Sequence, residues 1–400
     1  MEVSQEKAKQ EIDRSLNLSF FCMRYIGFSF DEPKHRIARL LQRLWFFASI
    51  VVICSHGFSE IAFIVVTFAN SPRVEDVVPL FHTLGYGILS VSKVFVLWYK
   101  KRVFKQLLSE LTVIWPIAPL DDEAYSIKNQ SLKALRLVHR WYFAINLSGV
   151  WFYNMTPMGI YLYQIVRGED ARLGFIWASW YPFDKTHPIT HVFLYVFEIL
   201  AGQNCVWVMI CTDLLFSGMA SHIVLLLRIL QGQLKSLSVS AYTEDQCYHN
   251  IINCIKLHQR LIRYCKDIGE AFSFANLVNI ILSSVNICCV VFVIVLLEPM
   301  VAISNKLFLG SALIQIGILC WYGEDIIHAN ANIAAAAYAS DWYNMSPRCR
   351  RALYFLLQRA QKPISFTAMN FTNISLVTYT GILTRSYSYF ALLYTLYSEN

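Results

Sequence analysis

Residues 273–297 read SFANLVNIILSSVNICCVVFVIVLL, an apolar run without one charged side chain. A bilayer core about 30 Å thick is crossed by about 20 apolar residues in a helix, which bonds every backbone polar group within the segment. The run therefore predicts a membrane span. Working outward, six further stretches meet the same test: 44–68, 77–98, 141–163, 189–212, 307–327 and 374–397. The basic residues sort to one side of them. Segments 1–43, 99–140, 218–270 and 329–371 hold 27 Lys and Arg, and the alternate gaps 69–76, 164–188 and 298–306 hold 5. Positive residues stay cytoplasmic. The sequence thus predicts an all-α integral membrane bundle of seven transmembrane helices, with an intracellular N-terminus and an extracellular C-terminus. A seven-helix receptor coupled to G proteins has the reverse orientation.

Composition agrees. The chain is 56% hydrophobic and 15% charged, with a mean hydropathy of +0.43. A soluble domain carries about 25% charged residues. The net charge of +7 is accounted for by the inner loops and implies no nucleic acid. The opening MEVSQEKAKQEIDRSLN is charged and has no apolar core, so no cleavable signal peptide is read and the first span directs insertion. Eleven cysteines are present. None falls in a predicted outer loop, and none forms a CxxC or zinc spacing. They read as buried or cytosolic thiols.

The membrane is not the whole fold. Segment 1–43 is a cytoplasmic N-terminal segment with an amphipathic stretch and a breaker at Pro33. Helices one to six occupy 44–327. The inner gap 99–140 has helical spacing at Leu107, Leu108, Leu111 and Ile114. No proline interrupts Ile189–Ser238 or Ile251–Leu297, so helices four and five continue into the cytosol. Segment 328–373 reads as cytoplasmic anchor helices. Helix six runs on through an alanine-rich stretch until Pro347 stops it, and CRRALYFLLQRAQ carries an apolar stripe at Leu353, Leu356 and Leu357. These extensions are expected to pack as a helical base. Residues 374–397 form helix seven, and 398–400 an extracellular tail.

From Gly323 the sequence reads GEDIIHANANIAAAAYASDWYNMSPRCRRALYFLLQRAQKPISFTAMNFTNISLVTYTGILTRSYSYFALL. This stretch resembles the C-terminal signature of insect odorant receptors. It has Gly323 and Glu324, Ala337 and Tyr338, then Trp342 and Tyr343. The run Arg359–Pro363 follows, and a last helix carries Arg385 to Ser388. Tyr181-Pro182-Phe183-Asp184 and Arg24-Tyr25-Ile26-Gly27 also look like the family. Gustatory receptors end the last helix in Gln-Phe, where this chain has Thr395 and Leu396. The odorant co-receptor (Orco) has a large insertion between helices four and five that this chain lacks. The resemblance therefore implies the odour-binding, tuning subunit. It implies a ligand-gated, non-selective cation channel in the plasma membrane of a sensory neuron. Four subunits, with the co-receptor as partner, surround one pore lined by the last helix. A pocket in the outer half of helices two to six would take a small volatile odorant.

On helix seven Arg385, Ser388, Leu392 and Leu396 share a face, with Thr395 beside it. A charge within a span is costly unless it faces protein or water. Arg385 at a water-filled vestibule meets that condition, and Leu392 and Leu396 could form a constriction that gates by dewetting. The alternative for both leucines is ordinary packing. A pocket for a volatile molecule is mostly apolar with a few orienting polar groups. Its candidates are Phe81, His82, Tyr86, Trp151, Phe152, Met155, Tyr195, Phe197, Gly202 and Gln315. Bundle packing is the alternative for any one aromatic. Pro157 removes a helix hydrogen bond and is expected to kink helix three. Lys93 and Glu198 lie within spans, where a mutual or backbone partner is expected.

No enzyme, cofactor or metal site is expected. His187 and His191 have i, i+4 spacing, but Pro188 lies between them and no acidic or thiol cluster adjoins. Gly-x-Ser-x-Gly, Walker A and kinase motifs are absent. A metabotropic seven-helix chemoreceptor predicts an outer N-terminus, an outer disulfide and an Asp-Arg-Tyr after helix three, none of which the sequence shows. A transporter predicts repeats and broken helices. No repeat is found, although Gly85 and Gly87 could break helix two.

Overall fold

The computed structural model describes residues 2–70, 74–117, 119–169, 173–185, 187–237, 243–296 and 302–398. Parts of the three expected outer gaps, and residues 399–400 of the expected tail, lie outside them. The described chain is almost wholly helical. In order it forms α1 (Glu2–Ser15), α2 (Asn17–Tyr25), α3 (Arg36–Asn70), α4 (Val74–Tyr99), α5 (Lys101–Ile114) and α6 (Asp122–Arg167). These are followed by α7 (Pro188–Lys235), α8 (Glu244–Leu296), α9 (Ala302–Tyr338), α10 (Pro347–Ala360) and α11 (Leu376–Ser398). A two-residue ribbon, β1 (Thr367–Ala368) antiparallel to β2 (Thr372–Asn373), joins α10 to α11.

The seven spans are α3, α4, α6, α7, α8, α9 and α11. Five of them are long and apolar enough to cross a membrane by length and composition alone. The exceptions are α6 and α11. Their spans carry few charges but are rich in polar and aromatic residues, Trp, Tyr and Asn in α6 and Tyr, Ser and Thr in α11, which lower hydropathy without forbidding burial between helices. Gly85 and Gly87 do not interrupt α4, and α6 continues through Pro157.

The long helices extend well beyond a bilayer. α7 has 48 residues and α8 has 53, or about 72 and 80 Å at 1.5 Å per residue. The 46-residue α6 does the same, an extension the sequence pattern did not separate from α5. At the far end of α9 the expectation for Pro347 needs correction. The helix ends at Tyr338, a 3-10 turn spans Trp342–Asn344, and Pro347 opens α10. There its missing N–H is no loss, and the Ser346 hydroxyl caps the turn by accepting from the Cys349 N–H.

The core runs along α7, which is buried on nearly every face, and is closed by α8, α9 and the short helices. α10 buries Cys349, Leu353, Leu356 and Ala360 and leaves Tyr354 and Phe355 exposed. Polar side chains tie the base together. Asn330 donates to the carbonyls of Ala360 (3.2 Å) and Lys362 (3.1 Å), and its Oδ1 lies 3.1 Å from His258 Nε2. His139 meets Ser217 at 3.0 Å and His222 meets Ser15 at 2.9 Å. Burial lowers both His139 and His222 to about 3, so both are neutral. In contrast α3 exposes Leu44, Phe47, Val51, Phe58 and Val65, as a lipid-facing wall does.

Candidate functional site

One cavity lies near the end of the bundle where the α6–α7 loop crosses it. α3 contributes His56, Gly57 and Glu60, and α4 contributes Thr83, Tyr86 and Gly87. α6 supplies Asn146, Val150 and Tyr153, α7 supplies Gly202 and Cys205, and α9 supplies Phe308 and Ser311. The space between atoms is ≈ 710 Å³, including volume open to the surroundings. Aromatic rings frame it. Tyr153 stacks on Trp177 (centroids 4.7 Å apart, planes at 20°), and Tyr86 packs on Phe308 at 4.7 Å. Edge and face contacts of this kind favour an apolar guest. His56 and Glu60 add a polar patch. They are one helical turn apart, 5% and 3% exposed, with Nε2 to Oε1 at 3.9 Å.

The loop is pinned over this cavity from below. The Glu198 carboxylate on α7 accepts from the backbone N–H of Ile176 (2.9 Å) and Trp177 (3.2 Å) and from the Tyr181 hydroxyl (3.2 Å). The Trp177 indole donates to the Glu198 carbonyl at 3.3 Å, and the Trp180 N–H donates to the Ser59 carbonyl at 3.0 Å. Glu198 thus has the backbone partners expected of an acid in a span. Gly202 is required beneath the indole, because a Cβ there would sit 2.9 Å from Trp177 Cζ2.

A second polar cluster lies about one to two helical turns deeper. Lys93 on α4 pairs with Asp213 on α7 at 2.5 Å. The other Asp213 oxygen accepts from the Tyr142 hydroxyl (2.8 Å) and Gln315 Nε2 (3.1 Å), and Gln315 Oε1 accepts from Tyr86 at 3.3 Å. Four helices are therefore joined, and the chain of bonds ends on a residue of the cavity wall. Pairing and hydrogen bonding offset much of the cost of placing two charges there. The sequence reading found Lys93 but not Asp213, which lies one residue beyond the predicted span.

Of the ten residues expected in the pocket, Tyr86 and Gly202 line the cavity. Gln315 and His82 stand behind its wall, the latter with its ring 5.4 Å from Phe308. Tyr195 is buried and donates to the Asn154 carbonyl at 2.8 Å. Phe197 meets Tyr181 edge-on at 6.5 Å. Phe81, Trp151, Phe152 and Met155 lie on the exposed surface. His56, Glu60, Tyr153, Trp177 and Phe308 were not anticipated. The i, i+4 polar pair within an apolar stretch was the available signal for the first two.

On α11 the expected face of Arg385, Ser388, Leu392, Thr395 and Leu396 is exposed along its length. Neighbouring Leu393 instead packs with Phe390 against Val78, Cys289 and Phe292. The adjoining face, toward the start of the helix, buries Thr378, Ile382 and Ser386, and Ser386 donates to the Ser284 carbonyl of α8 at 3.0 Å. Two residues along α8, Asn286 fills the space beside Gly85, leaving no room for a Cβ there. α8 is thus clamped between the cavity-lining α4 and α11. Among the described residues no group of His, Cys, Asp or Glu is placed to hold a metal, and His191 packs on Phe175 at 4.4 Å.

The model of the 7tm Odorant receptor family matches residues 73–387. The chain is 27% identical to Odorant receptor 85c of Drosophila melanogaster, over 92% of this chain and 94% of the relative. It is 24% identical to Odorant receptor 85b of the same species, over 92% and 95%. In three dimensions it is similar to the insect olfactory receptor OR5 from Machilis hrabei in complex with eugenol, with a TM-score of 0.80 at 16% identity, covering 98% of this chain and 99% of that one. The family match spans well over half of the sequence, and the chain belongs to the 7tm odorant receptor family, which comprises membrane-spanning chemoreceptors rather than enzymes.

Proposed function

We propose that this chain is the odour-binding subunit of a ligand-gated, non-selective cation channel. It works with the odorant co-receptor in a heterotetramer, in the plasma membrane of a sensory neuron. The observation that carries the reading is the aromatic cavity under the pinned loop, with Tyr86 on its wall bonded through Gln315 to Asp213. Such a cavity suits a small, mostly apolar molecule with one hydrogen-bonding group, which Tyr86, Thr83 or His56 would orient. A guest that shifts Tyr86 perturbs a bond network joining four helices. The exposed face of α11 would supply one wall of the pore, Arg385 meeting water and Leu392 and Leu396 forming the constriction. The 27-to-5 asymmetry of basic residues supports a cytoplasmic N-terminus.

The test is electrical. Expressed alone, the subunit should pass little odour-evoked current. Expressed with the co-receptor, it should give current that begins promptly and persists under G-protein blockade. Loss of that current under blockade would instead place the chain in the metabotropic class.

A further inference from the structure

A groove separate from the cavity runs between α3 and α4 at the opposite end of the bundle. Its floor and walls are Phe46, Phe47, Ile50, Val91, Phe95 and Trp98. Phe47, Phe95 and Trp98 are 65%, 49% and 58% exposed. The mouth is charged. Arg39, Arg43 and Lys101 all converge on one carboxylate, that of Glu32, at 3.3, 3.2 and 3.5 Å. One carboxylate balances one cation, so the mouth retains a net charge of about +2. From Arg43 to Ile50 is about 10 Å of helix rise, which spans most of one leaflet of the hydrocarbon, roughly 15 Å deep.

We propose that this groove binds an anionic phospholipid from the leaflet facing the N-terminal helices, with its phosphate on Arg39, Arg43 and Lys101 and one acyl chain along the apolar floor. The charge pattern is the complement of such a lipid: surplus cations at headgroup level, aromatic and aliphatic surface beneath. Guanidinium groups suit phosphate because their planar forks donate two parallel bonds. Trp98 and the neighbouring Tyr99, which stacks on Phe95 at 5.6 Å, stand where amphipathic rings meet headgroups. Glu32 holds the cations together when the lipid is absent and competes with the phosphate when it is present. A zwitterionic lipid offers the same chains without net charge and gains less here. In the orientation proposed above the leaflet is the inner one, although the binding itself does not depend on that orientation or on odour gating.

The test uses the full chain in detergent with phosphatidylserine or phosphatidylcholine added, counting retained lipids by native mass spectrometry. The wild-type chain should retain phosphatidylserine preferentially. Arg43→Gln with Lys101→Gln should reduce that preference roughly 25-fold, each basic residue contributing about fivefold. Glu32→Gln should increase it, an effect that misfolding does not produce. Arg102→Gln, at an exposed position outside the groove, should leave it unchanged. Equal retention of the two lipids by the wild-type chain would overturn the proposal. So would an unaltered preference in the double variant, or a reduced one in Glu32→Gln.

Discussion

Tyr153 and Trp151 are two residues apart on α6, yet one stacks on Trp177 in the cavity and the other is 45% exposed. Their replacement by Ala should therefore separate. Tyr153→Ala removes a large aromatic contact of roughly 1–3 kcal/mol and should shift the half-activating odour concentration by a factor of about 5–150. Trp151→Ala should leave it near wild type, with surface expression and the response to a direct co-receptor agonist as controls. Dose–response curves that move equally would remove the cavity from the account of recognition. The difference also explains what the sequence could not reveal. Residue type marks an aromatic as suitable for a pocket, but helical phase decides which way it points, and 100° separates one position from the next. Trp177 was beyond reach for another reason. Its place over Gly202 depends on an irregular loop held by Glu198, and no periodicity encodes that.

α11 presents the clearest contrast within one helix. Leu392 is 61% exposed, whereas Leu393 is partly buried against α8 and α4. Leu392→Ser should hydrate a closed constriction and raise resting current or odour sensitivity, partially if co-receptor helices form the other walls. Leu393→Ser should act mainly on surface expression. Equal current phenotypes at the two positions would place the pore on another face. The base helices support a different prediction. His139 and His222 have native values near 3 against 6.5 for the unfolded chain. The unfolded state therefore binds more protons below pH 6.5, and stability falls as pH is lowered through that window. Between pH 7.5 and 5 each histidine should cost roughly 2 kcal/mol. Thermal unfolding of purified protein should show a shallower pH dependence in His222→Gln than in wild type. Parallel slopes would exclude the buried neutral imidazole as the cause. The extended helices α7 and α8 were legible because no proline interrupts them over about 45 residues. The partition of 99–140 between α5 and the start of α6 was not read, although the apolar spacing stops at Ile114 and Pro116 and Pro119 mark the break that follows.

For the whole molecule, the span count was legible in the sequence, because insertion into a bilayer is decided by length and hydropathy, and the charge asymmetry predicts the orientation. A C-terminal epitope tag should be stained on intact cells, and an N-terminal tag only after permeabilisation. Staining of the N-terminal tag on intact cells would reverse the orientation. The packing that couples the two ends was not legible, since it depends on contacts between helices distant in sequence. Asn286 beside Gly85 and Ser284 bonded to Ser386 place both contacts within three residues of α8. That helix is about 80 Å long, and mechanically it is a beam with its load applied near one end. A tilt of about 2° about that clamp would sweep the distant end at Glu244, about 60 Å away, through roughly 2 Å, more than the rise of one residue. Displacements too small to rearrange the cavity wall would then be large where α8 meets α10, so the base would register small movements in the membrane as large ones.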